Sequence, residues 1–595
     1  MRALCLLCVI PLMQACRGKE DSEPIDSFIE GCDTVWYIDY DRDGFGSDLY
    51  TLVACDPPEG WVDNAADCDD TNPDVLPLSL WYPDRDADGY GAADEPIEAC
   101  LQPEGTTADA RDCDDADPAI HPDAREICND GLDNDCDGLQ PDACVQRVDS
   151  AHGVLYGAAE NDSFSAGLSP AGDVDGDGQE DYWFGASLGD GLDGAADAGV
   201  VYLVPGPLRP GVEGVESRAV ARIVGGELDR AASNLAGGLD LDGDGGPDLA
   251  IGARRAEAHL GSETGAVTLW FGPMEGDWSS PEADGALFGD TIWDRFGDDT
   301  LAAQDLTGDG RADLLVGAPY YDPSSTVRNA GAVYLFPGPF GAGVRIAGEA
   351  ASLILEGEDA EDLVGRRLAA GDLDGDGVQE VIIGAWVHSD SLAQAGAVYG
   401  VGGGTGGLVS LADADVKITG QSAGDNLGRG LAAPGDADGD GYGDLLVGAP
   451  GSDAAHTNAG AVYLLSGASL DLAAPIATFL GEANDDNLGS QVCGGGDVDG
   501  DGVGDLLLSA TSHGSLGEGA VYLFYGPPSG ERSAAAADAR FDGEAAQDAL
   551  GETSQMLPDI AGSGDGRYDL LLGALGNDRG GDDAGAVYLF FEVAE

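Results

Sequence analysis

The chain has 595 residues, 43% of them hydrophobic, which leaves room for several domains with buried cores or for one large repeat array. Its 111 acidic residues against 26 basic give a formal charge of −85. Such a surface repels phosphate backbones and argues against nucleic acid as a partner, whereas divalent cations are its natural counter-charge.

Residues 1–16 read as a targeting segment to be set apart from the fold. Arg2 gives a minimal basic start, Ala3 to Leu12 is an apolar stretch too short to span a bilayer, and Met13-Gln14-Ala15-Cys16 follows. This resembles a bacterial lipoprotein signal, which implies lipidation at Cys16 and an outer-membrane or cell-surface location, with secretion after ordinary cleavage as the alternative. No other run is long and apolar enough for a membrane helix. Residues 17–31 are polar and without period, a tether.

Twelve cysteines are present, and eight of them fall in one short stretch: Cys32, Cys55, Cys68, Cys100, Cys113, Cys128, Cys136 and Cys144. An even set packed so closely in an exported chain reads as a disulfide framework. Cys493 stands alone in the later part and reads as a small buried apolar residue. Within 32–144 two halves are alike. The first runs Trp36-Tyr37-Ile38-Asp39-Tyr40-Asp41-Arg42-Asp43, and the second Trp81-Tyr82-Pro83-Asp84-Arg85-Asp86-Ala87-Asp88. Each leads to an acidic cluster around a cysteine, Asp67-Cys68-Asp69-Asp70 or Asp112-Cys113-Asp114-Asp115, and a third element carries Asp133, Asp135 and Asp137 around Cys136. So much aspartate with so little aliphatic content cannot build a core, so disulfides and bound cations must substitute for one.

The stretch resembles the cysteine-rich metal-binding motif of MopE-like bacterial surface proteins and, more distantly, calcium-wrapping thrombospondin type 3 repeats. The resemblance implies a metal held by Asp39, Asp41, Asp43, Asp84, Asp86, Asp88, Asp133, Asp135 and Asp137, with further ligands from the Asp-Cys-Asp-Asp clusters. The duplication suggests pairing Cys55 with Cys68 and Cys100 with Cys113, although spacing alone leaves connectivity open. Residues 145–152 read as a linker.

From Gly153 onward a nonapeptide recurs, with oxygen side chains at positions 1, 3, 5 and 9 and glycine at 4 and 6. Alternate side chains that converge while the backbone turns sharply are how a short loop wraps a hard cation. The sets, with position 7 included, are Asp173, Asp175, Asp177, Gln179, Asp181; Asp240, Asp242, Asp244, Gly246, Asp248; and Asp305, Thr307, Asp309, Arg311, Asp313. Three more follow: Asp372, Asp374, Asp376, Val378, Glu380; Asp436, Asp438, Asp440, Tyr442, Asp444; and Asp497, Asp499, Asp501, Val503, Asp505. A seventh copy aligns at Ala561 with only Ser563, Asp565 and Asp569, a weak or empty site that Asp559 could help to fill. Successive spacings of 67, 65, 67, 64, 61 and 64 residues mark an array of supersecondary units.

Each unit reads as four short strands. In the third, Leu301 to Asp305 leads into the loop, Asp313 to Ala318 leaves it, and Gly331 to Phe336 and Ser352 to Leu355 follow. β-Branched and aromatic residues between turn clusters, without amphipathic helix patterns, mean an all-β protein, and seven such units fit a seven-bladed β-propeller with four-stranded blades. The seventh unit lacks a fourth strand. Val154-Leu155-Tyr156-Gly157, ahead of the first loop, is expected to supply it and close the ring.

Phe296-Gly297 before the third loop and Gly317-Ala318-Pro319 after it identify the unit as resembling the FG-GAP repeat of integrin α-subunits. The same repeat occurs in glycosylphosphatidylinositol-specific phospholipase D and in bacterial surface proteins. The resemblance implies structural Ca²⁺ in the loops. It also implies a monomeric recognition or adhesion scaffold that binds an extracellular protein or glycan through loops such as Asp190 to Ala198, Arg254 to Thr264, Tyr320 to Ala330 and Val387 to Ala395.

Catalysis finds little support. Gly185-Ala186-Ser187-Leu188-Gly189 matches a nucleophile-elbow pattern but lies where a strand end and a glycine-rich loop are expected, and the six histidines are scattered. A hydrolase or lyase at the ring centre is the alternative reading, and a metal-sequestering protein the third.

Overall fold

The computed structural model describes residues 34–593 except 43, 66–67, 69–78, 94–95, 100–101, 104, 119, 123–135, 137–144, 192–194, 228, 258–262, 304 and 592. Cys16, Cys32, Cys100, Cys128, Cys144, Asp43, Asp133, Asp135 and Asp137 lie outside the described residues. The chain divides into two compact units, Met1–Ala124 with Asn134–Gly138, and Arg125–Asp133 with Leu139–Glu595.

In the first unit the duplication appears as two three-stranded antiparallel sheets. Val35–Ile38 lies between Ser47–Val53 and Trp61–Val62, and Ser79–Pro83 lies between Ile97–Ala99 and Thr106–Thr107. The same side chain locks each: the indole N–H of Trp36 donates to the Ala54 carbonyl and that of Trp81 to the Ala99 carbonyl, both at 3.0 Å. Ile120 is the one buried hydrophobic side chain of this unit among the described residues, consistent with covalent rather than apolar support. Cys55 and Cys68 are both in disulfides. Cys113, however, bonds to Cys136 across 23 residues, not to Cys100. The duplication pointed to pairing within each half, whereas this bond staples the third acidic element onto the second half.

In the second unit the repeat takes the expected form. Its third copy pairs Thr300–Ala303, Asp313–Ala318, Ala332–Phe336 and Leu353–Glu356 antiparallel in that order. The second and third of these strands are apolar on both faces and buried throughout, because a neighbouring sheet covers each side. Among the described residues seven such sheets form. Their innermost strands touch in chain order, and the last, Leu550–Pro558, touches the first, Phe164–Gly172, so the series closes on itself as a propeller-type ring. Across that seam Thr553 Oγ1 donates to Ser165 O at 2.7 Å and Gln555 Nε2 to Leu168 O at 2.8 Å.

The repeat's glycines set how closely the sheets approach. A Cβ added to Gly317 would stand 1.8 Å from the carbonyl oxygen of Gly365 in the next sheet, and one on Gly384 would stand 2.1 Å from that of Gly428. Phe296, fully buried, fills the adjoining space edge-on to Tyr334 and Phe336.

Gly153–Tyr156 pairs antiparallel with Ala586–Phe590, Leu155 opposite Val587, as the fourth strand of the last sheet. Residues 145–152, expected as a linker, also enter the ring: Val145–Arg147 adds in parallel to Ala539–Asp542 of the sixth sheet. That addition belongs to a wider departure from the expected four-stranded blades. Among the described residues, six of the seven sheets have a fifth strand, and in five of them it comes from the connection in the following repeat and runs parallel to the fourth strand, as Gly407–Ser410 does beside Leu353–Glu356. The fifth strand breaks into a single helical turn, here Leu411–Asp413, where the Ser410 hydroxyl accepts the Ala412 N–H. Each added strand covers an edge that would otherwise offer unpaired backbone groups.

Candidate metal centres

The third loop shows how the sequence makes its turn. Asp305 accepts the Gly310 N–H on Oδ2 at 2.8 Å and the Asp309 N–H on Oδ1 at 2.9 Å, while Asp309 accepts the Arg311 N–H at 3.0 Å. Gly310 has φ +81° with open space where a Cβ would lie, so glycine is needed for the torsion and not for room. Asp313, buried at the start of the next strand, accepts the N–H groups of Leu306 and Thr307, both at 2.9 Å, and its other oxygen accepts the Gly338 N–H at 3.1 Å.

The pattern repeats in all six intact loops. The position-1 carboxylates of Asp173, Asp240, Asp305, Asp372, Asp436 and Asp497 each accept from the glycine five residues on at 2.8–3.0 Å. Position 5 (Asp177, Asp244, Asp309, Asp376, Asp440, Asp501) accepts the N–H of position 7 (Gln179, Gly246, Arg311, Val378, Tyr442, Val503) at 2.7–3.0 Å. Position 9 accepts the N–H of position 2 at 2.7–2.9 Å. In the first two loops carboxylate oxygens of positions 1, 3 and 9, Asp173 with Asp175 and Asp181 and Asp240 with Asp242 and Asp248, all lie within 4.8 Å of one another.

Position 9 has a second role that spacing did not reveal. Its other oxygen accepts a backbone N–H from beyond the third strand, Gly206, Gly272, Gly338, Gly467 or Gly526, at 2.9–3.3 Å. The same carboxylate therefore braces the loop against the sheet. Burial pushes the carboxyls of Asp181, Asp248, Asp313 and Glu380 above their ordinary range, and those of Asp444 and Asp505 up to about 6. Buried anions beside other anions are what a bound cation relieves. The donor set, oxygen only, fits a hard divalent ion.

The seventh loop is built differently from its alignment at Ala561. Asp559 acts as the position-1 carboxylate, accepting the N–H groups of Ser563 at 2.6 Å and Gly564, five residues on, at 2.7 Å, and the Ser563 hydroxyl at 3.0 Å. Asp565 accepts the Arg567 N–H at 3.0 Å, and Asp569 closes the loop on the Ala561 N–H at 3.2 Å. The loop is thus two residues longer than its siblings, and Ala561 occupies the place of the position-3 carboxylate.

In the first unit, carboxylate oxygens of Asp84, Asp86 and Asp115, and likewise of Asp86, Asp88 and Asp112, lie within 4.8 Å of one another. Both acids of the Asp112-Cys113-Asp114-Asp115 cluster that flank this site, Asp112 and Asp115, turn toward it. Both oxygens of Asp86 and one each of Asp88 and Asp112 are buried with no hydrogen-bond partner. Burial, with Asp88 nearby, pushes the Asp86 carboxyl up, and burial does the same to Asp112. Orphaned acceptors facing one another fit a cation here as well.

A second repeating acid went unread in the sequence. Asp162, Asp229, Asp294, Asp362, Asp425, Asp486 and Asp548 each cap the turn just before the first strand of a repeat. Six of them accept a backbone N–H from three residues earlier at 2.7–3.0 Å, and Asp294 is held by the backbone N–H and the hydroxyl of Thr291. His388 Nδ1 meets Asp362 at 2.9 Å and His513 Nδ1 meets Asp486 at 3.2 Å, so these histidines serve the caps. The period of about 65 residues carried this signal too. Ser187 follows the strand Asp181–Ala186 in a turn, not in the strand-to-helix elbow a nucleophile would need.

These loops have counterparts in known proteins. The FG-GAP repeat model matches residues 296–336, 364–401, 428–465 and 488–524. The chain carries FG-GAP repeats. They coincide with the third to sixth sheets, and the first, second and seventh sheets repeat the same architecture outside the matched stretches. A metal-binding motif model of the MopE type matches residues 67–79 and 112–140. Among similar proteins, integrin alpha-5 of Xenopus laevis is 33% identical over 29% of this chain and 16% of its own length. Integrin alpha pat-2 of Caenorhabditis briggsae is 30% identical over 39% of this chain and 18% of its own. Phosphatidylinositol-glycan-specific phospholipase D of Bos taurus is 36% identical over 25% of this chain and 18% of its own. The chain thus covers less than a fifth of the length of each of these relatives.

Proposed function

We propose that the protein is a Ca²⁺-dependent recognition or adhesion scaffold, non-enzymatic and displayed outside the cell. The observation that carries this reading is the sixfold repetition of one oxygen-lined loop whose buried position-9 carboxylate also braces its sheet. Ca²⁺ accepts six to eight oxygens in flexible geometry and suits such loops better than soft metals do. In the first unit the converging donors are again carboxylates, while Cys113 is spent in a disulfide, which favours the same ion over copper. Disulfides suit an oxidising compartment, and the signal-like residues 1–16 suit export with Cys16 as lipid anchor.

The metal is structural in this reading: it stiffens the ring and so fixes the loops at the opposite end, which bind a protein or glycan. Thermal unfolding with and without chelator tests the first half, with a clear loss of melting temperature expected in EGTA. A glycan and protein array probed with and without Ca²⁺ tests the second, with binding expected only in Ca²⁺. Unchanged stability and protease resistance after chelation would refute the proposal.

A further inference from the structure

The first strand of every repeat runs from the variable-loop end of the ring to the cation loops. Residues at the starts of these strands therefore surround the mouth of the central channel, on the end away from the cation loops. A cavity of about 520 Å³ lies there, lined by Thr300, Arg367 and Glu552 among others, with Arg254 arriving from the end of a second strand. That volume lies within the roughly 300 to 1,000 Å³ typical of small-molecule sites.

In a protein of charge −85, Arg254 and Arg367 line this cavity, and Arg295, Arg366 and Arg429 lie beside them outside its lining. Arg254 reaches Asp298 at 3.4 Å, and Arg366 lies 3.7 Å from the same carboxylate while donating to the Tyr320 hydroxyl at 3.0 Å. Arg295 and Arg366 lie over the Tyr320 ring at 4.6 and 5.6 Å, and Arg366 and Arg429 lie over Trp386 at 6.0 and 5.5 Å. Arg367 Nε donates to the carbonyl of Arg429 at 2.9 Å. A guanidinium laid on an aromatic face can keep its donor edge free for a ligand, as that of Arg429 does on Trp386, whereas Arg295 spends its Nε on Glu263 at 3.0 Å and Arg366 donates to Tyr320. Among the described residues, the terminal nitrogens of Arg367 and the whole guanidinium of Arg429 donate to no protein acceptor. Burial, with Arg367 and Arg366 adding repulsion, pushes Arg429 below its ordinary value despite the attraction of Glu552.

The acids present narrow the choice of anion. Asp298 is shared by two arginines, Glu552 lines the cavity, and Asp299 is buried, its carboxyl pushed up to about 6 by burial. A sulfate or phosphate ester, acceptor on every side, would meet these groups as repulsion. A ligand with one carboxylate and several hydroxyls answers both signs: the carboxylate accepts from the guanidinium forks, and the hydroxyls donate to the acids. We propose that the ring-centre cavity binds a uronate sugar of an acidic polysaccharide, with Arg367 and Arg429 taking its carboxylate. The inference rests on the recognition reading above and names its ligand.

Calorimetric titration of the full chain in excess Ca²⁺ tests it, with galacturonate and glucuronate oligosaccharides as probes and neutral cello-oligosaccharides and inorganic sulfate as controls. At least one acidic oligosaccharide binds and the controls do not. Arg429→Gln weakens binding by about tenfold or more, the loss of a charge-assisted pair, with the melting temperature little changed because that guanidinium holds no protein acceptor and gives up only its contact with the Trp386 ring. Arg429→Lys, which keeps the charge without the fork, falls between. Absence of uronate binding, equal binding of the neutral sugar, or an unaffected Arg429→Gln variant overturns the inference. If uronates fail while the array still returns a Ca²⁺-dependent ligand, the inference falls and the recognition reading stands. If both fail, the recognition reading falls too.

Discussion

Asp505→Asn separates a ligand from a brace. Asp505 is fully buried and accepts the N–H groups of Val498 at 2.7 Å and Gly526 at 2.9 Å, and burial pushes its carboxyl up to about 6. The substitution keeps volume and one carbonyl acceptor but sets an NH₂ against one of the two amides. In chelated protein two effects oppose each other. A backbone N–H without its acceptor costs about 1–3 kcal/mol. Burying the anion at neutral pH costs roughly 3 kcal/mol, from a rise of about two pH units, and that cost disappears in the variant. The chelated variant should therefore melt within about 2 °C of chelated wild type. In Ca²⁺ the wild-type loop gains about 2.7 kcal/mol when the ion is at a hundredfold excess over its dissociation constant, and the variant forfeits it. Scanning calorimetry in excess Ca²⁺ and in EGTA reads the gap between the two melting temperatures, which should narrow. An equal drop in both conditions would show a brace only and refute the ligand role.

Asp559→Ala should cost about 1–2 kcal/mol whether or not Ca²⁺ is present, because the seventh loop holds Ala561 where its siblings hold a carboxylate; chemical denaturation in both conditions checks this. Deleting Gly153 to Gly157 removes the buried Val154 and Leu155 from the closing sheet, each worth roughly 1.5–3 kcal/mol, and should lower the melting temperature and promote aggregation; an unchanged melt contradicts closure. The position-9 acids make chelated protein respond to pH in an unusual sense. Their folded carboxyls titrate above the unfolded ones, so the stability they contribute is fully present below about pH 4 and is lost as pH rises through about 6 for Asp444 and Asp505. Chelated protein should melt higher at pH 5 than at pH 7, and Ca²⁺-loaded protein should not.

Features with a strong local signature were legible in the sequence. Alternating aspartates around two glycines announce a cation turn wherever they stand, and the apolar runs such as Leu314-Leu315-Val316 announce doubly covered strands. The fifth strands were not legible, because a four-residue segment such as Gly407–Ser410 is partly exposed and its pairing comes from a neighbouring repeat. Asp559 was passed over as a principal residue because alignment to the nonapeptide assumes equal length, while the backbone accommodates two extra residues by giving Asp559 a φ of +41°. The partner of Cys113 depended on a fold-back that two similar halves, compared with each other, do not encode. The arginine cluster at the channel mouth draws on four different repeats, and spacing along the chain does not reveal it.

The seam of the ring also orders events in time. Phe591 donates its N–H to the ring of His152, a residue 439 positions earlier, and Gly153–Tyr156 waits with Val145–Arg147 for partners made hundreds of residues later. Contacts of such sequence separation form slowly and late. Before they form, the two early strands offer bare edges, and the partners nearest in kind are the fourth strands of the chain's own earlier repeats. Correct registration of the first strands with the last repeat, and not the folding of any single repeat, is therefore the step at which this molecule is most exposed to joining the wrong copy of itself.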